Sequence, residues 1–186
     1  MSNLAINVAD VVKSFPAGDS RTYALKGATL DARFGELLMI VGPSGCGKTT
    51  LLSVICGTLQ CEEGSLTVFD HDLRKMKDAD VTKFRCENVG FIFQQFNLIP
   101  TLTAVENASI PLILNGVAVK EAEQRAGKVL AEVGLGDKLH SYPSQLSGGQ
   151  LQRVAISRAL VHEPRLIIRD EPTASLDAAA GQKTLD

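Results

Sequence analysis

The sequence lacks any long apolar run and any excess of basic residues. Its longest apolar stretches, Leu37–Val41 and Ile110–Leu114, fall far short of the roughly 20 residues that a helix needs to cross a bilayer. The N-terminus has no basic segment followed by an apolar run, so it does not resemble a secretory signal peptide. Lysine and arginine number 19 against 21 acidic residues, which gives a net charge of −2 and no general attraction for nucleic acid. We therefore expect a soluble, cytoplasmic protein.

Zinc-type cysteine patterns, internal repeats and low-complexity segments are also absent from the sequence. Its four cysteines show neither CxxC spacing nor histidines at zinc-site distances; they are Cys46, Cys56, Cys61 and Cys86. We interpret them as ordinary buried thiols, except that Cys46 lies within a motif described below. The 186 residues, 45% of them hydrophobic, suffice for about one domain with a substantial core.

Strand patterns dominate the first third of the chain. Segments Ala5–Phe15 and Ala24–Arg33 are rich in small and β-branched residues, with a turn predicted at residues 16–19. Leu37–Val41 is a continuous apolar run, which predicts a strand buried on both faces of a parallel sheet. A helical pattern follows over Lys48–Cys56. Further strands are predicted at Ser65–Phe69, Val89–Phe93 and Leu166–Ile168.

Helical patterns dominate the middle of the chain. Capping-box spacing at Thr103–Glu106 and at Ser147–Gln150 predicts the start of two helices. Another helix is predicted over Val119–Val133. We therefore expect one α/β domain with an inserted helical subdomain: residues 1–96 and 161–186 form the α/β core, and residues 97–160 form the subdomain.

A complete phosphate-loop motif follows the predicted strand Leu37–Val41. The pattern G-x-x-x-x-G-K-[ST] is met by Gly42, Pro43, Ser44, Gly45, Cys46, Gly47, Lys48 and Thr49, with Thr50 next in the helix. The glycines let successive N–H groups point inward at phosphate oxygens, and the helix that follows aims its positive end at the same place. Lys48 can bridge the β- and γ-phosphates, and the Thr49 hydroxyl can ligate Mg²⁺. A strand before the loop and a helix after it favour nucleotide binding over a plain glycine-rich turn.

Two carboxylates end the predicted strand Leu166–Ile168. They are Asp170 and Glu171, separated from the strand by Arg169. In a parallel α/β sheet this edge is where ligands bind, beside the phosphate loop. Asp170 suits the shell of a Mg²⁺ ion, directly or through water, and Glu171 can polarise an attacking water. A pair of this kind, taken alone, is more often a solvated strand end.

The remaining motifs occur in a fixed order with the phosphate loop. They are Leu146-Ser147-Gly148-Gly149-Gln150, Asp170-Glu171-Pro172-Thr173 and Ser175-Leu176-Asp177. Together they resemble the ATP-binding-cassette (ABC) ATPases, and the resemblance covers essentially the whole chain. It implies a P-loop NTPase core with an N-terminal antiparallel β subdomain, the inserted helical subdomain, and ATP with Mg²⁺ as ligands.

The resemblance also implies a role for several single residues. Phe15 resembles the aromatic that stacks on adenine, with Tyr23 as the weaker candidate and strand packing as the alternative role of either. Gln94 resembles the Q-loop glutamine that senses Mg²⁺ and the attacking water. Glu171 is then the catalytic residue that acts on that water.

A dimer is implied by the signature-like segment Ser147–Gln150. Ser147 and Gly149 resemble the residues that contact the γ-phosphate of ATP held by the opposite subunit, and Asp177 resembles the D-loop aspartate at the same seam. The physical basis is that a helix N-terminus with exposed glycine amides forms an anion site. Two chains arranged head to tail, as a homodimer or a pair of cassettes, would clamp two ATP molecules.

Two features depart from the family pattern. Arg169 interrupts an apolar run, so its guanidinium must find a partner or reach solvent, because burying it unpaired costs several kcal/mol. The switch histidine of the family lies on a later strand, beyond Asp186, and the histidines present precede the acidic pair: His71, His140 and His162. We therefore expect the chain to be truncated and to hydrolyse ATP poorly by itself.

The segment 94–107 is similar to cassettes of the macrolide-exporter, lipoprotein-release (LolD-like) and FtsE-like group. This predicts the ATPase subunit of a bacterial exporter or extractor, peripheral on the cytoplasmic face of the inner membrane and bound to separate permease subunits. An FtsE-like mechanical signalling ATPase that acts on cell-wall machinery is the alternative. A nucleic-acid-handling ABC protein is disfavoured, because only 98 residues, without sustained heptads, separate Lys48 from Ser147.

Overall fold

The computed structural model describes residues 3–18, 20–93 and 95–170. The chain divides into two compact units, the first ending at Arg85 and the second beginning at Cys86. The strands are β1 Leu4–Ala17, β2 Ser20–Arg33, β3 Glu63–Val68, β4 His71–Asp72, β5 Val89–Ile92 and β6 Leu166–Arg169. The helices are α1 Lys48–Ile55, α2 Asp78–Asn88, α3 Ala104–Leu114, α4 Val119–Glu132 and α5 Gly148–Leu160, with a 3₁₀ turn at Pro143–Gln145. None of the helices in the described ranges has the length and apolar character to span a bilayer.

The first unit is built on an antiparallel sheet with strand order β2-β1-β3-β4. It confirms the two long strands predicted at the N-terminus. The turn predicted at 16–19 begins later than expected, because Pro16 and Ala17 still belong to β1, and residue 19 lies outside the described residues. Helix α1 packs against β1 and β2. The fully buried side chains of this unit include Val8 and Val11 of β1, Val68 of β3 and Val54 of α1. Val8 and Val11 are three residues apart, and the register shift between them interrupts the regular alternation, so both side chains are buried.

The predicted buried strand at Leu37–Val41 is wrong. The structure has no strand there, and Leu37 and Val41 are 91% and 81% exposed. An apolar run becomes a buried strand only where neighbouring strands complete its hydrogen bonds and layers cover both faces. Within the described ranges, no strand pairs with residues 37–41.

The second unit contains the parallel pair β5–β6 and the helices α3, α4 and α5. Val89 lies opposite Leu166 and Ile92 opposite Arg169, which confirms both predicted strands. The three helices share an apolar core that includes Ala108, Leu130 and Val154, each fully buried. Residues 97–160 contain all three helices, and the extent of the helical subdomain stays a prediction.

Both predicted capping boxes are confirmed. The Thr103 N–H donates to Glu106 Oε2 at 2.7 Å, and the Glu106 N–H donates to Thr103 Oγ1 at 3.4 Å. Hydrogen bonds from Thr103 hold the pKa of Glu106 below its usual value, and the bond from the Thr103 side chain has a larger effect than the bond from its backbone. At α5 the Ser147 N–H donates to Gln150 Oε1 at 2.8 Å. Each box satisfies N–H groups that a helix start otherwise leaves unpaired.

Helix α2, Asp78–Asn88, has no counterpart in the predictions from sequence. It buries only Val81 and Phe84, so it lacks the continuous apolar stripe by which a helix is recognised. The sequence feature that could have predicted this helix is its charge distribution, because Asp78 and Asp80 lie in the first turn and Arg85 in the last. That order matches the helix dipole.

Buried Asn107 of α3 fixes the loop that precedes this helix. Its Oδ1 accepts the Ile99 N–H at 2.8 Å. Its Nδ2 lies 3.1, 2.9 and 3.0 Å from the carbonyl oxygens of Ile99, Leu102 and Thr103. One amide side chain therefore replaces the regular backbone pairing that this irregular segment lacks.

Candidate functional site

The phosphate-loop residues form a turn that leads directly into α1. The helix begins at Lys48, and its N-cap is Gly47, which has a φ of 96° and no side chain to cap the first turn. The loop carbonyl of Pro43 accepts the Cys46 N–H at 3.3 Å, which closes the turn. Thr49 and Thr50 follow in the first turn of α1, so the residue types required by the motif occur on the predicted loop–helix junction.

Gly47 is required by geometry as well as by the motif. Its φ lies in the region that L side chains rarely adopt. A Cβ atom at this position would also collide with the carbonyl oxygen of Ala24 on β2 and lie 3.2 Å from Leu25 Cδ2. The end of the phosphate loop therefore rests directly on the β2 backbone, which only glycine permits.

The Lys48 ammonium group lies over the phosphate loop. Its Nζ donates to the carbonyl oxygens of Gly42 at 2.8 Å and Pro43 at 2.9 Å. The sulfur of Cys46 is 3.9 Å from the same nitrogen, and the Cys46 residue is exposed. A charged donor and the positive end of a helix therefore converge on one loop, which is the arrangement that binds phosphate.

The two candidate adenine-stacking aromatics lie on opposite faces of the β1–β2 hairpin. Phe15 pairs with Thr22, and Tyr23 pairs with Ser14. Because side chains alternate along a strand, Phe15 and Tyr23 point to different sides, so one nucleotide can contact only one of them. Phe15 and Tyr23 are 39% and 48% exposed, so neither side chain is buried. The Lys13 Nζ lies 5.6 Å from the centre of the Phe15 ring.

The signature-like segment presents an open helix N-terminus. Ser147, Gly148 and Gly149 are all exposed, and a Cβ atom added at either glycine would meet no atom within 4 Å. Arg153, one turn on, donates from Nη1 to the Val133 carbonyl at 3.0 Å and anchors the helix to the end of α4. The N-terminal turn of α5 is therefore sterically accessible to an anion.

The parallel strands β5 and β6 end side by side, and Asp170 follows this edge. The Asp170 N–H donates to the Ile92 carbonyl at 3.3 Å, so the carboxylate comes directly after the last ladder pair. Arg169 is exposed, so its guanidinium is not buried in the apolar run. Gln94, Glu171 and Asp177 lie outside the described residues, so their predicted roles stay predictions.

Arg158 of α5 was missed by the sequence reasoning, although it holds the backbone that follows Gln94. Its Nη2 donates to the Phe96 carbonyl and its Nη1 to the Asn97 carbonyl, each at 2.6 Å. Both residues have positive φ, 48° and 47°, a backbone that needs support from its surroundings. Burial lowers the pKa of Arg158 from its ordinary value. No local pattern reveals a contact between residues 61 positions apart.

Comparison with known proteins identifies the class to which this fold and these motifs belong. The family model of the ABC transporter matches residues 25–174. The chain is 41% identical over 186 residues to the lipoprotein-releasing system ATP-binding protein LolD of Legionella pneumophila, covering all of this chain and 82% of that protein. An uncharacterized ABC transporter ATP-binding protein of Thermotoga maritima is 42% identical over 181 residues, covering 97% and 77% of the two chains.

A solved structure is similar over nearly the whole chain. The dimeric post-hydrolysis state of the ATP-binding cassette MJ0796, bound to ADP and Pi, superposes with a TM-score of 0.85 at 40% identity, covering 96% of this chain and 78% of that one. The chain belongs to the ABC transporter family, as an ATP-binding subunit. It is an ATPase with the ABC cassette fold, which confirms the fold class and the activity expected from the sequence.

Proposed function

We propose that this chain powers a bacterial membrane transporter of the exporter or extractor type by ATP-driven dimerisation. The observation that carries the proposal is the phosphate loop, complete in sequence and folded so that Lys48 and the start of α1 converge on it. The similarity to LolD over the full length of the chain supports the extractor type, and an FtsE-like signalling ATPase is the alternative. Separate permease subunits are the proposed partners, at the cytoplasmic face of the inner membrane.

Nucleotide binding in this proposal uses residues of the first unit. The backbone N–H groups of the loop and of the first turn of α1 hold the phosphates, except at Pro43, which has none. Lys48 supplies the charge-assisted contact, and Phe15 stacks on the base. A charged hydrogen bond of this type contributes about 1.5–3 kcal/mol, which corresponds to roughly 10- to 150-fold in affinity.

Magnesium is the proposed cofactor, with Thr49, Gln94 and Asp170 as its protein ligands. Within the described ranges, no group of three or more His, Cys, Asp or Glu side chains is arranged to hold a metal ion. That fits Mg²⁺, which keeps several waters and binds through one or two protein oxygens together with nucleotide phosphates. The ion would supply charge neutralisation at the β- and γ-phosphates.

Dimerisation in this proposal uses the open N-terminus of α5. Ser147–Gln150 of each subunit would contact the γ-phosphate held by the other, with Asp177 at the same seam. The dimeric structures of MJ0796 support this arrangement, because the chain shares 40% and 41% identity with them. Glu171 is the proposed catalytic residue.

The first experiment compares Lys48→Ala with Lys128→Ala, which removes an exposed lysine of α4. Calorimetric titration with MgATP should show a 10- to 150-fold weaker affinity for Lys48→Ala and no change for Lys128→Ala. Equal affinities for Lys48→Ala and the parent chain would contradict the assignment of the phosphate loop.

The second experiment tests the dimer and its partners. In a version of the chain extended through the strand that carries the family's switch histidine, Glu171→Gln should slow turnover by about 10²- to 10⁴-fold while leaving ATP bound. An ATP-dependent dimer should then accumulate on size-exclusion chromatography with light scattering. Co-purification from bacterial membranes should recover permease subunits. Recovery of cell-wall machinery instead would favour the FtsE-like alternative.

A further inference from the structure

Ser14 of β1 is a buried polar residue whose hydrogen bonds go to one distant carboxylate. It is 6% exposed, and it directly precedes Phe15. The Ser14 N–H donates to Glu62 Oε1 at 3.1 Å, and the hydroxyl lies 2.9 and 3.1 Å from the two Glu62 oxygens. Both hydrogen-bond donors of Ser14, its N–H and its hydroxyl, therefore contact the same side chain.

The position of Glu62 explains why a side chain performs this task. Strand β3 begins at Glu63, which pairs with Val12, and the Glu62 N–H extends the ladder by donating to the Val12 carbonyl at 2.8 Å. Two residues beyond Val12 on β1, Ser14 carries the next backbone N–H on the side of the strand that faces β3. The Glu62 carboxylate accepts it in place of a strand carbonyl, because β3 does not continue there.

This contact fixes the backbone at an irregular point of the hairpin. The β1–β2 register shifts between Lys13 and Ser14, so Ser14 forms the first pair after the shift and Phe15 forms the second, with Thr22. A register shift disrupts the ladder, so the flanking residues need other hydrogen bonds to hold one conformation. The bonds from Ser14 to Glu62 supply them one residue before the exposed Phe15 ring.

The electrostatic surroundings of Glu62 agree with this assignment. Hydrogen bonds from the Ser14 backbone and hydroxyl hold the pKa of Glu62 below its usual value, with Arg21 adding to the effect at 3.8 Å. The carboxylate is therefore charged and acceptor-only at neutral pH. Its neighbour Glu63 is also an exposed glutamate, and the hydrogen bonds of Ser14 go to Glu62.

We propose that Glu62 is a positioning residue for nucleotide recognition: by holding Ser14, it sets the orientation from which the Phe15 ring stacks on a purine base. The inference rests on the proposed function, in which Phe15 contacts the nucleotide. In this proposal Glu62 acts through Ser14 and Phe15 and not by its own contact with the nucleotide. Its loss should therefore weaken recognition of the base and leave recognition of the triphosphate intact.

The experiment uses the fact that the chain contains no tryptophan, so Phe15→Trp introduces a single fluorescent indole. Its emission should change when MgATP binds, because a stacked base quenches or shifts it. Calorimetry on the chain without this reporter then measures MgATP and inorganic tripolyphosphate binding. Glu62→Ala should weaken MgATP by roughly 3- to 10-fold, the range of a lost aromatic stack, and leave tripolyphosphate affinity unchanged.

Three further variants test whether the effect depends on the hydrogen-bond acceptor at position 62. Glu62→Gln keeps an oxygen acceptor for Ser14 and should restore MgATP affinity, and Glu63→Ala should match the parent chain. Glu62→Asp withdraws the acceptor by one methylene and should weaken MgATP in the same direction. It serves in place of Glu62→Ala if circular dichroism shows that the alanine variant does not fold.

The outcomes separate this inference from the proposed function. If the indole does not respond to MgATP while calorimetry shows binding, the assignment of Phe15 is wrong. If the indole responds equally with and without Glu62→Ala, or if tripolyphosphate weakens as much as MgATP, the positioning role of Glu62 is overturned.

Discussion

Replacing Asn107 with aspartate should destabilise the chain strongly while keeping the shape of the side chain. Asn107 is fully buried, and it holds the loop before α3 through both ends of its amide. In Asn107→Asp, one oxygen still accepts the Ile99 N–H. The other oxygen replaces an NH₂ group and faces the carbonyl oxygens of Ile99, Leu102 and Thr103, to which it has no proton to donate.

The expected loss follows from the number of donors removed. The Asn107 amide carries two N–H donors, and each buried hydrogen bond contributes about 1–1.5 kcal/mol. The free energy of unfolding should therefore fall by about 2–3 kcal/mol, and by more where the new carboxylate is ionised. Proton binding relieves this cost, because a protonated carboxyl again donates to a carbonyl.

The same reasoning fixes the sign of the pH dependence. The folded state raises the pKa of the new carboxyl above its unfolded value of about 3.9. The folded chain then binds more protons than the unfolded chain, so the stability of Asn107→Asp should fall as pH rises above about 4. The free energy of unfolding of Asn107→Asp should therefore lie further below that of the parent chain at pH 8 than at pH 5.

Urea unfolding followed by far-UV circular dichroism measures this loss, with Asn115→Asp as the matched control. Asn115 is exposed and donates one hydrogen bond, from Nδ2 to the Cys86 carbonyl at 3.0 Å. Its substitution should change the free energy of unfolding by less than about 1 kcal/mol. An Asn107→Asp chain as stable as this control, or one that gains stability as pH rises, would refute the reasoning.

Three other substitutions have expected outcomes. Gly47→Ala should abolish MgATP binding in calorimetry, because a left-handed alanine costs about 1–2 kcal/mol and its Cβ meets the Ala24 carbonyl; wild-type affinity would contradict this. Ser157→Ala should raise the free energy of unfolding by about 1 kcal/mol, because the buried Ser157 hydroxyl has no hydrogen-bond partner in the described structure; a loss of stability would oppose this reading. Burial lowers the pKa of His162 in the folded chain, so the unfolded chain takes up the proton first and stability should fall as pH drops below about 6.5. His162→Gln should flatten this slope in urea unfolding at pH 5–7, and an unchanged slope would exclude His162 as its source.

Local features of the sequence determined the motifs and the helix starts. Thr103 with Glu106 and Ser147 with Gln150 form the capping boxes that their spacing predicts, because residues three apart in a helix are neighbours whatever surrounds them. The phosphate loop is likewise recognised from its local pattern of glycines and Lys48, although the contact that requires glycine at position 47 is with Ala24 of β2. The long β1–β2 hairpin also follows from its own composition and turn residues.

The tertiary structure decided those features that depend on contacts between residues far apart in the sequence. The apolar run 37–41 reads as a buried strand, yet it forms none, because pairing and burial are supplied by other segments. Glu62 reads as an exposed acid, and only the register of β1 and β3 brings its carboxylate to Ser14. Arg158 likewise meets Asn97 across 61 positions. A sequence pattern encodes the contacts that a single helix or strand makes with itself, whereas these contacts exist only after separate segments have packed together.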